Sequence, residues 1–224
     1  MSEPRKLAIF DLDYTITKRG TWGRLVMRSV RFKPWLWVPM IFSTLLFQYR
    51  YKTGKAPRGD VKKSMMNWGM TGKPRAKLTK MAERFAEDEV PDKLRPGALR
   101  ALAAHREAGD YILIASAAVD LIVAPISKRL GADGYVCTEL AWDSDDRLLP
   151  EFASENCYGE AKRKAVERYI EDHKLNDLPV IFYTDSMADI EVLRMADIGI
   201  AVDPDTKMTK AAGLEGYEIQ HWMT

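Results

Sequence analysis

From about residue 97 onward, short apolar runs alternate with segments of helical periodicity. The runs YILIAS, GYVCTEL, PVIFYT and IGIAVD predict strands, and the segments between them predict helices, apart from WDSDDRLLP, which predicts a turn between two short extended pieces. Such alternation indicates a parallel sheet covered on both faces. The stretch at 6–12 is expected to add a strand to the same sheet. The predicted fold class is therefore α/β, with a doubly wound parallel sheet.

The region between the first strand and the alternating part has a different character. It contains no convincing strand and most of the tryptophans, so we expect a helical insertion that returns to the core near Pro96. The predicted core domain comprises residues 1–16 and 96–224. The predicted helical cap domain comprises residues 17–95.

Charge is distributed unevenly along the chain. Between Ile16 and Ser64 there are twelve basic residues and a single acid, Asp60, which leaves −9 for the rest of a chain whose net charge is +2. A segment of net charge +11 indicates that one part of the molecule meets an anionic partner.

Two further observations concern the compartment. Cys137 and Cys157 lack metal-ligand spacing, so we expect neither a disulfide framework nor a zinc site, and a reducing compartment suits them. The N-terminal stretch MSEPRK is polar and predicts no signal peptide. The expected location is cytoplasmic, with peripheral association at the inner face of the membrane as a further option.

Polar residues follow three of the predicted strands. In open parallel sheets, ligands bind outside the carboxyl ends of the strands, so these residues are expected to converge at one edge. Taken singly, each has a plainer interpretation, such as a helix cap, a turn residue or a solvated charge. The candidates are Asp11, Asp13 and Thr15 after the first strand, Ser116 after the second, Asp185, Ser186 and Asp189 after PVIFYT, and Lys162 at a helix start.

The segments DLDYT, IASAA, GEAK and YTDSMAD, in this order, are similar to the four signature motifs of the haloacid dehalogenase superfamily. The layout resembles the phosphoserine-phosphatase-like branch (subfamily IB), in which the helical insertion between the first two motifs is a C1-type cap. The sequence departs from the common pattern at Tyr14, where many relatives carry a small or short polar residue, and at Ala117 and Ala118, where glycine is frequent.

The resemblance implies a Mg²⁺-dependent phosphomonoester phosphatase that works through an aspartyl-phosphate. Asp11 would be the nucleophile, and Asp13 would transfer protons to the leaving group and from water. Oxygen ligands suit Mg²⁺, and the carboxylates of Asp11 and Asp185 would hold it together with the Asp13 main-chain carbonyl. Thr15, Ser116 and Lys162 would bind the phosphoryl group. Asp189 would orient Lys162 or the waters bound to the metal, and Ser186 would likewise support the residues that contact the substrate and the metal.

The substrate is expected to be a phospholipid or another polyanionic phosphate. A phosphoserine phosphatase of the family carries a glutamate shortly after the first motif, whereas this chain reads TKRG there, without an acid. A cap that contains this segment of net charge +11 is a poor site for an ammonium group and suits additional anions.

The run PWLWVPMIFSTLLF, residues 34–47, is almost entirely apolar and has basic flanks. Runs of ~10–14 apolar residues are too short to span a bilayer. One interpretation is a helix packed on the core or in a homodimer interface. The other is an interfacial anchor, with contact to an anionic membrane through residues 24–55. The layout is similar to that of the C-type phosphatidylglycerophosphatases, which have a hydrophobic segment at the same place.

Two alternatives to the leading hypothesis remain open. The protein could be a soluble small-metabolite phosphatase whose apolar cap serves packing or dimerisation. It could instead be a non-catalytic protein that binds an anionic surface. Nucleic acid is disfavoured as a partner, because four aspartates at one edge would repel phosphates unless a metal were bound.

Overall fold

The structure is a computed structural model that describes residues 5–90 and 92–223; residues 1–4, 91 and 224, which fall within the predicted domain ranges, lie outside it. The strands in the described ranges are β1 (Leu7–Phe10), β2 (Tyr111–Val119), β3 (Gly134–Thr138), β4 (Leu140–Trp142), β5 (Leu148–Phe152), β6 (Val180–Thr184), β7 (Ile198–Val202) and β8 (Glu218–Gln220). The helices are α1 (Trp22–Val30), α2 (Trp37–Lys52), α3 (Arg58–Gly69), α4 (Arg75–Glu89), α5 (Pro96–Ala108), α6 (Asp120–Leu130), α7 (Glu160–Asp172), α8 (Ile190–Met195) and α9 (Thr206–Glu215).

Six strands form a sheet in the order β3-β2-β1-β6-β7-β8, and every neighbouring pair is parallel. β1 lies at the centre, where Ile9 pairs with Leu113 on one side and with Phe182 on the other. All four residues of β1 are buried, as expected for a strand covered on both faces. The predicted α/β fold with a parallel sheet is confirmed.

The two faces of the sheet bury separate apolar clusters. Ala8 and Phe10 of β1 face one cluster, which includes residues of α5, α6 and the helices inserted after β1. Leu7 and Ile9 face the other, which includes residues of α7, α8 and α9. Because successive strand residues point to opposite faces, four apolar residues in a row anchor helices on both sides.

Helices α1–α4 lie between β1 and α5 in the chain, and the described part of this region contains no strand. The two connections to the sheet run side by side. The Arg95 N–H donates to the Ile16 carbonyl at 2.9 Å, and the Lys18 N–H donates to the Lys93 carbonyl at 2.9 Å. The pairing holds the start and the end of the insertion together, directly after the carboxylates that follow β1.

The structure differs from the predicted strand boundaries at three places. The predicted strand GYVCTEL is divided, because β3 ends at Thr138 and Leu140 begins β4. β1 ends at Phe10 rather than at residue 12, because the chain turns there and the Leu12 carbonyl accepts hydrogen bonds from the N–H groups of Ile16 and Thr17. β2 continues past Ser116 to Val119, with an irregularity in its pairing with β3 between Ala115 and Val119. Helix α9 and strand β8 were not predicted. The extended pieces around the turn WDSDDRLLP form the antiparallel hairpin β4–β5.

The apolar run at 34–47 forms a short 3₁₀ turn and most of α2. Met40 is the one buried residue of α2, while Val38, Phe42 and Leu45 are strongly exposed. The interpretation of this run as a helix packed on the core is therefore wrong. None of the helices in the described part of the chain is long and apolar enough to cross a membrane.

The start of α5 allows a stability prediction. A Cβ on Gly97 would lie 2.3 Å from Cγ of the buried Trp222, whose carbonyl accepts from the Gly97 N–H at 3.1 Å. We expect Gly97→Ala to lower the free energy of unfolding by about 1–3 kcal/mol through overpacking. Urea unfolding followed by circular dichroism measures the change.

Gly213 in α9 provides a matched control, because a Cβ there meets nothing within 4 Å. Gly213→Ala is expected to raise the stability by about 0.5–1 kcal/mol, since alanine is the better helix former. Equal stability of the Gly97→Ala variant and the parent would contradict the packing described at Trp222.

Candidate active site

The carboxyl ends of β1, β2 and β6 meet at a cavity of about 160 Å³ beneath the inserted helices. Seven of the eight predicted site residues belong to its wall: Asp11, Asp13, Ser116, Lys162, Asp185, Ser186 and Asp189. The exception, Thr15, is completely buried. A larger cavity of about 750 Å³ lies between α4 and α6, but it lacks this convergence of carboxylates.

A buried lysine connects two of the aspartates. The Lys162 Nζ donates to Asp11 Oδ1 and to Asp189 Oδ2, both at 2.8 Å. The Thr184 hydroxyl donates to the same Asp189 oxygen at 2.9 Å. Because α7 begins at Glu160, Lys162 lies in its first turn and reaches the end of β1 without crossing solvent. The predicted contact between Asp189 and Lys162 is present.

Thr15 joins the carboxylates that follow β1 and β6. Its hydroxyl lies 3.3 Å from Asp11 Oδ2 and 3.1 Å from Asp185 Oδ1, and it accepts from the Asp185 N–H at 3.0 Å. Two carboxylates of residues far apart in the chain thus approach one hydroxyl. Thr15 supports the two carboxylates in this structure rather than reaching the cavity.

Asp13 is held by a residue that the sequence did not single out. The backbone N–H of Thr21 donates to Asp13 Oδ1 at 2.9 Å, and the Thr21 hydroxyl donates to the same oxygen at 2.7 Å. Thr21 immediately precedes α1, so the orientation of Asp13 depends on the first inserted helix. A threonine before a helix was a visible signal, but it indicated a helix cap rather than this contact.

The remaining predicted residues lie on the cavity wall with local partners. The Ser116 hydroxyl accepts from the Ala118 N–H at 3.1 Å, within the irregular part of β2. The Ser186 hydroxyl accepts from the Ala188 N–H at 3.2 Å and caps a short 3₁₀ turn. Ser116 is positioned to offer a donor to a bound group, whereas Ser186 shapes the turn that carries Asp189.

Burial dominates the electrostatics of the site. It raises the pKa of Asp11 to about 8, against the opposing effect of Lys162. It likewise raises the pKa of Asp185 to about 6 and raises that of Asp13, which the hydrogen bonds from Thr21 partly offset. Burial also opposes the charge of Lys162, yet Asp11 and Asp189 raise its pKa above the ordinary value. These carboxylates need more positive charge than one lysine supplies.

The donor set fits a hard divalent cation. Asp11 and Asp185 present carboxylate oxygens around one hydroxyl, and Mg²⁺ takes one or two carboxylates while keeping several waters. In the described part of the chain, no three His, Cys, Asp or Glu side chains surround a common metal position. Such a cage is not required when a main-chain carbonyl and waters complete the shell.

Two cations of α3 reach the same cavity. The Lys62 Nζ donates to the Ala117 carbonyl and, at 2.8 Å, to Asn156 Oδ1, so it bridges α3 to the ends of β2 and the loop before α7. Burial lowers the pKa of Lys62 to about 8. Arg58 donates to the Tyr158 hydroxyl at 2.7 Å at the rim. The basic excess of this region signalled such residues, but it did not indicate which ones.

Tyr14 lies at the mouth of the cavity with a φ of 65°. This left-handed conformation is uncommon for a residue with a Cβ, and such strain concentrates at functional sites. The Tyr14 ring lies against Gly20, where a Cβ would approach it to 3.3 Å. The turn after Asp13 therefore accommodates a large aromatic side chain at the cavity mouth.

Comparison with known proteins agrees with this geometry. A model of the haloacid dehalogenase-like hydrolases matches residues 8–194. The chain belongs to this family. It is 30% identical over 195 residues to protein CicA of Caulobacter vibrioides. The aligned region covers 85% of this chain and 83% of CicA. The predicted hydrolase class is thereby confirmed.

Phosphatases are among the relatives. The chain is 26% identical to phosphoserine phosphatase SerB1 of Mycobacterium tuberculosis over 66% of its own length and 48% of that protein. A substrate-bound phosphoserine phosphatase structure superposes with a TM-score of 0.66 at 16% identity, covering all of this chain and 95% of the other, which supports the fold. The predicted resemblance to the phosphoserine-phosphatase-like branch is confirmed.

The contact between Thr21 and Asp13 can be tested directly. Thr21→Val keeps the shape of the side chain but removes the hydroxyl donor 2.7 Å from Asp13 Oδ1. A hydrogen bond to a charged group contributes about 1.5–3 kcal/mol, so we expect kcat for a phosphomonoester to fall about tenfold or more. Steady-state kinetics and urea unfolding separate a loss of activity from a loss of stability.

Thr21→Ser retains the donor and is the control. Its kcat is expected to stay near that of the parent. A valine variant as active as the serine variant would show that the hydroxyl does not position Asp13 for the reaction.

Proposed function

We propose that the protein is a Mg²⁺-dependent phosphomonoesterase that forms an aspartyl-phosphate on Asp11. The observation that carries this proposal is the arrangement of Asp11 at the end of β1, with Lys162 Nζ 2.8 Å from one carboxylate oxygen and Thr15 beside the other. An aspartate held in one orientation between a buried cation and a hydroxyl is suited to nucleophilic attack.

The reaction divides between the two aspartates after β1. A carboxylate oxygen of Asp11 attacks phosphorus, and the bond from phosphorus to the leaving-group oxygen breaks. Asp13 donates a proton to that oxygen and then takes one from the water that hydrolyses the acyl phosphate. Burial raises the pKa of Asp13, which suits an acid, while the hydrogen bonds from Thr21 keep its carboxyl oriented.

The phosphoryl group requires cationic and donor contacts. Lys162 carries positive charge at the cavity wall, and Ser116 offers a hydroxyl across the cavity at the irregular part of β2. Asp11, Asp185 and the Asp13 main-chain carbonyl would hold Mg²⁺, which supplies charge neutralisation and a fixed orientation for the phosphoryl oxygens. Asp189 orients Lys162 through their hydrogen bond.

For the substrate we propose a phosphomonoester with a second anionic or strongly polar group, as in a phospholipid phosphate. Lys62 and Arg58 bring two cations of α3 to the cavity. The acids in the cavity wall are Asp11, Asp13, Asp185 and Asp189, all outside α1–α4. The described residues that α3 contributes to the cavity wall include no carboxylate, so an ammonium group on that side of the cavity would lack a partner, which disfavours phosphoserine despite the names of the relatives.

We also propose that residues 17–95 act as the cap domain and that residues 1–16 and 96–224 act as the core. The paired connections at Ile16–Arg95 and Lys18–Lys93 support this division. The second candidate, a soluble small-metabolite phosphatase that dimerises through the cap, is supported by the exposed apolar side chains of α2. The two candidates differ in the partner of α2 rather than in the chemistry.

The role of Asp11 is tested by Asp11→Asn. The amide keeps the shape but cannot attack phosphorus, so kcat is expected to fall about a thousandfold or more. Release of phosphate from p-nitrophenyl phosphate, measured with Mg²⁺ and again after exhaustive chelation, checks both the nucleophile and the metal. Circular dichroism verifies folding. Activity of a folded variant within about tenfold of the parent would exclude Asp11 as the nucleophile.

The role of Lys62 is tested with two substrates. Lys62→Met is expected to raise KM for glycerol bisphosphate about tenfold, because one charge-assisted contact to the second phosphate is lost, and to leave KM for p-nitrophenyl phosphate nearly unchanged. Lys63→Met is the control, since Lys63 instead faces Asp60 at 3.6 Å. Equal increases in KM for both substrates would assign Lys62 to the general architecture of the cavity.

A further inference from the structure

One face of α2 is apolar and open to solvent. Its exposed residues follow helical spacing, and together with two aromatic residues that precede the helix they form what we call the apolar stripe. Val38 is 75% exposed and Phe42 71%, values far above those of the core. The stripe consists of Phe32, Trp35, Val38, Ile41, Phe42, Leu45 and Tyr49.

The opposite face of α2 is already in use. Met40 is buried among the apolar residues that contact α1 and α3. Ser43 accepts a hydrogen bond from the Trp68 indole N–H at 2.9 Å, which ties α2 to α3. The stripe is therefore a separate surface of a helix that is already anchored on its other side.

Cations border the stripe at both ends. Arg31 and Lys33 precede the 3₁₀ turn, and Arg50, Lys52 and Lys55 follow the last exposed aromatic residue. None of the five forms an ion pair with another described residue. The contrast with the neighbouring α1 is clear, since Arg24 and Arg28 there pair with Glu89 and Asp88 of α4. Arg31 and Arg50 lie over the rings of Phe32 and Phe47, so the cations around the stripe contact aromatic residues but leave their charge available to an external anion.

This charge pattern distinguishes two occupants of the stripe. A second copy of the chain, related by a twofold axis, would place the cations of one stripe near those of the other, and no acid lies between Ile16 and Gly59 to compensate them. A bilayer of anionic lipid offers both an apolar interior and negative headgroups. Charge complementarity therefore favours the lipid surface.

The end of α2 is adjacent to the active-site cavity. The Arg58 guanidinium lies 4.1 Å from the centre of the Tyr158 ring and 6.0 Å from that of Tyr51, the penultimate residue of α2. Arg58 and Tyr158 both line the cavity. A surface that contacts the basic end of α2 would thus lie beside the entrance to the carboxylates.

We infer that the apolar stripe docks the protein on an anionic lipid bilayer, with α2 lying in the plane of the interface. The helix of 16 residues is about 24 Å long, a length suited to lying along a surface. The idea that the bilayer also supplies a phospholipid phosphate as substrate rests on the proposed phosphatase function. Binding to the bilayer does not require catalysis.

Vesicle flotation at low ionic strength tests the inference. The probes are vesicles of phosphatidylcholine with phosphatidylglycerol, and vesicles of phosphatidylcholine alone. We expect the full chain to bind the anionic vesicles and to release them as salt is raised. Its affinity for the neutral vesicles is expected to be at least about tenfold lower. Asp11→Asn is expected to bind as the parent does, which separates docking from catalysis.

Matched variants locate the surface. The double variant Phe42→Ser with Leu45→Ser is expected to lose at least about tenfold in vesicle affinity, and so is Arg50→Glu with Lys52→Glu. Leu214→Ser changes an equally exposed residue of α9 and is the apolar control. Lys207→Glu with Lys210→Glu, also on α9, is the charge control. Both controls are expected to bind as the parent does.

Activity and mass measurements complete the test. The Phe42→Ser, Leu45→Ser variant is expected to hydrolyse p-nitrophenyl phosphate as the parent does, which verifies that it folds. Three results would overturn the inference: a parent that ignores anionic vesicles at low salt, controls as weakened as the stripe variants, or a parent dimer in light scattering that the stripe substitutions convert to a monomer. The last result would assign the stripe to a second copy of the chain.

Discussion

The site depends on the contacts of the buried Lys162 ammonium with two carboxylates. The ammonium joins Asp11, 151 residues away in the chain, and Asp189, 27 residues away, at 2.8 Å each. An ammonium buried without partners would be expensive, and so would either carboxylate. The parallel sheet satisfies all three at once, because β1, β6 and the first turn of α7 reach the same edge. The fold and the chemistry are thus coupled through one charged cluster.

The site gives its two neighbouring aspartates different surroundings. Asp11 faces Lys162, Thr15 and the carboxylate of Asp185, so a cation shared with Asp185 would keep it ionised. Asp13 instead receives two hydrogen bonds from Thr21 and none from Lys162. A nucleophile and a proton donor require different protonation states. The different partners of Asp11 and Asp13, which only one residue separates in the chain, favour such a difference. The first inserted helix is therefore part of the proposed proton transfer as well as of the enclosure.

The basic excess between residues 16 and 64 proves to have several physical roles. Arg24 and Arg28 pair with acids of α4 and hold the inserted helices together. Lys62 is buried at the cavity, where it bridges α3 to the sheet. The remaining cations near α2 surround an exposed apolar face. The net charge of +11 thus combines structural ion pairs, a lysine in the cavity wall and the cations that border an exposed apolar face.

The sequence by itself determined the parallel sheet, the order of its motifs and the aspartates at its edge. Those features depend on local sequence. Apolar runs of strand length can be recognised without knowing their neighbours, and the residues that follow parallel strands lie at the same edge of the sheet. Only the tertiary structure decided that β2 passes Ser116, that Thr21 orients Asp13 and that Lys62 enters the cavity. It also decided that most of the apolar side chains of residues 34–47 are exposed, while Met40 packs inward. Burial and hydrogen-bond partners depend on which elements pack together. The sequence of an apolar run is compatible both with a packed core and with an exposed surface, and only its neighbours in the fold distinguish the two.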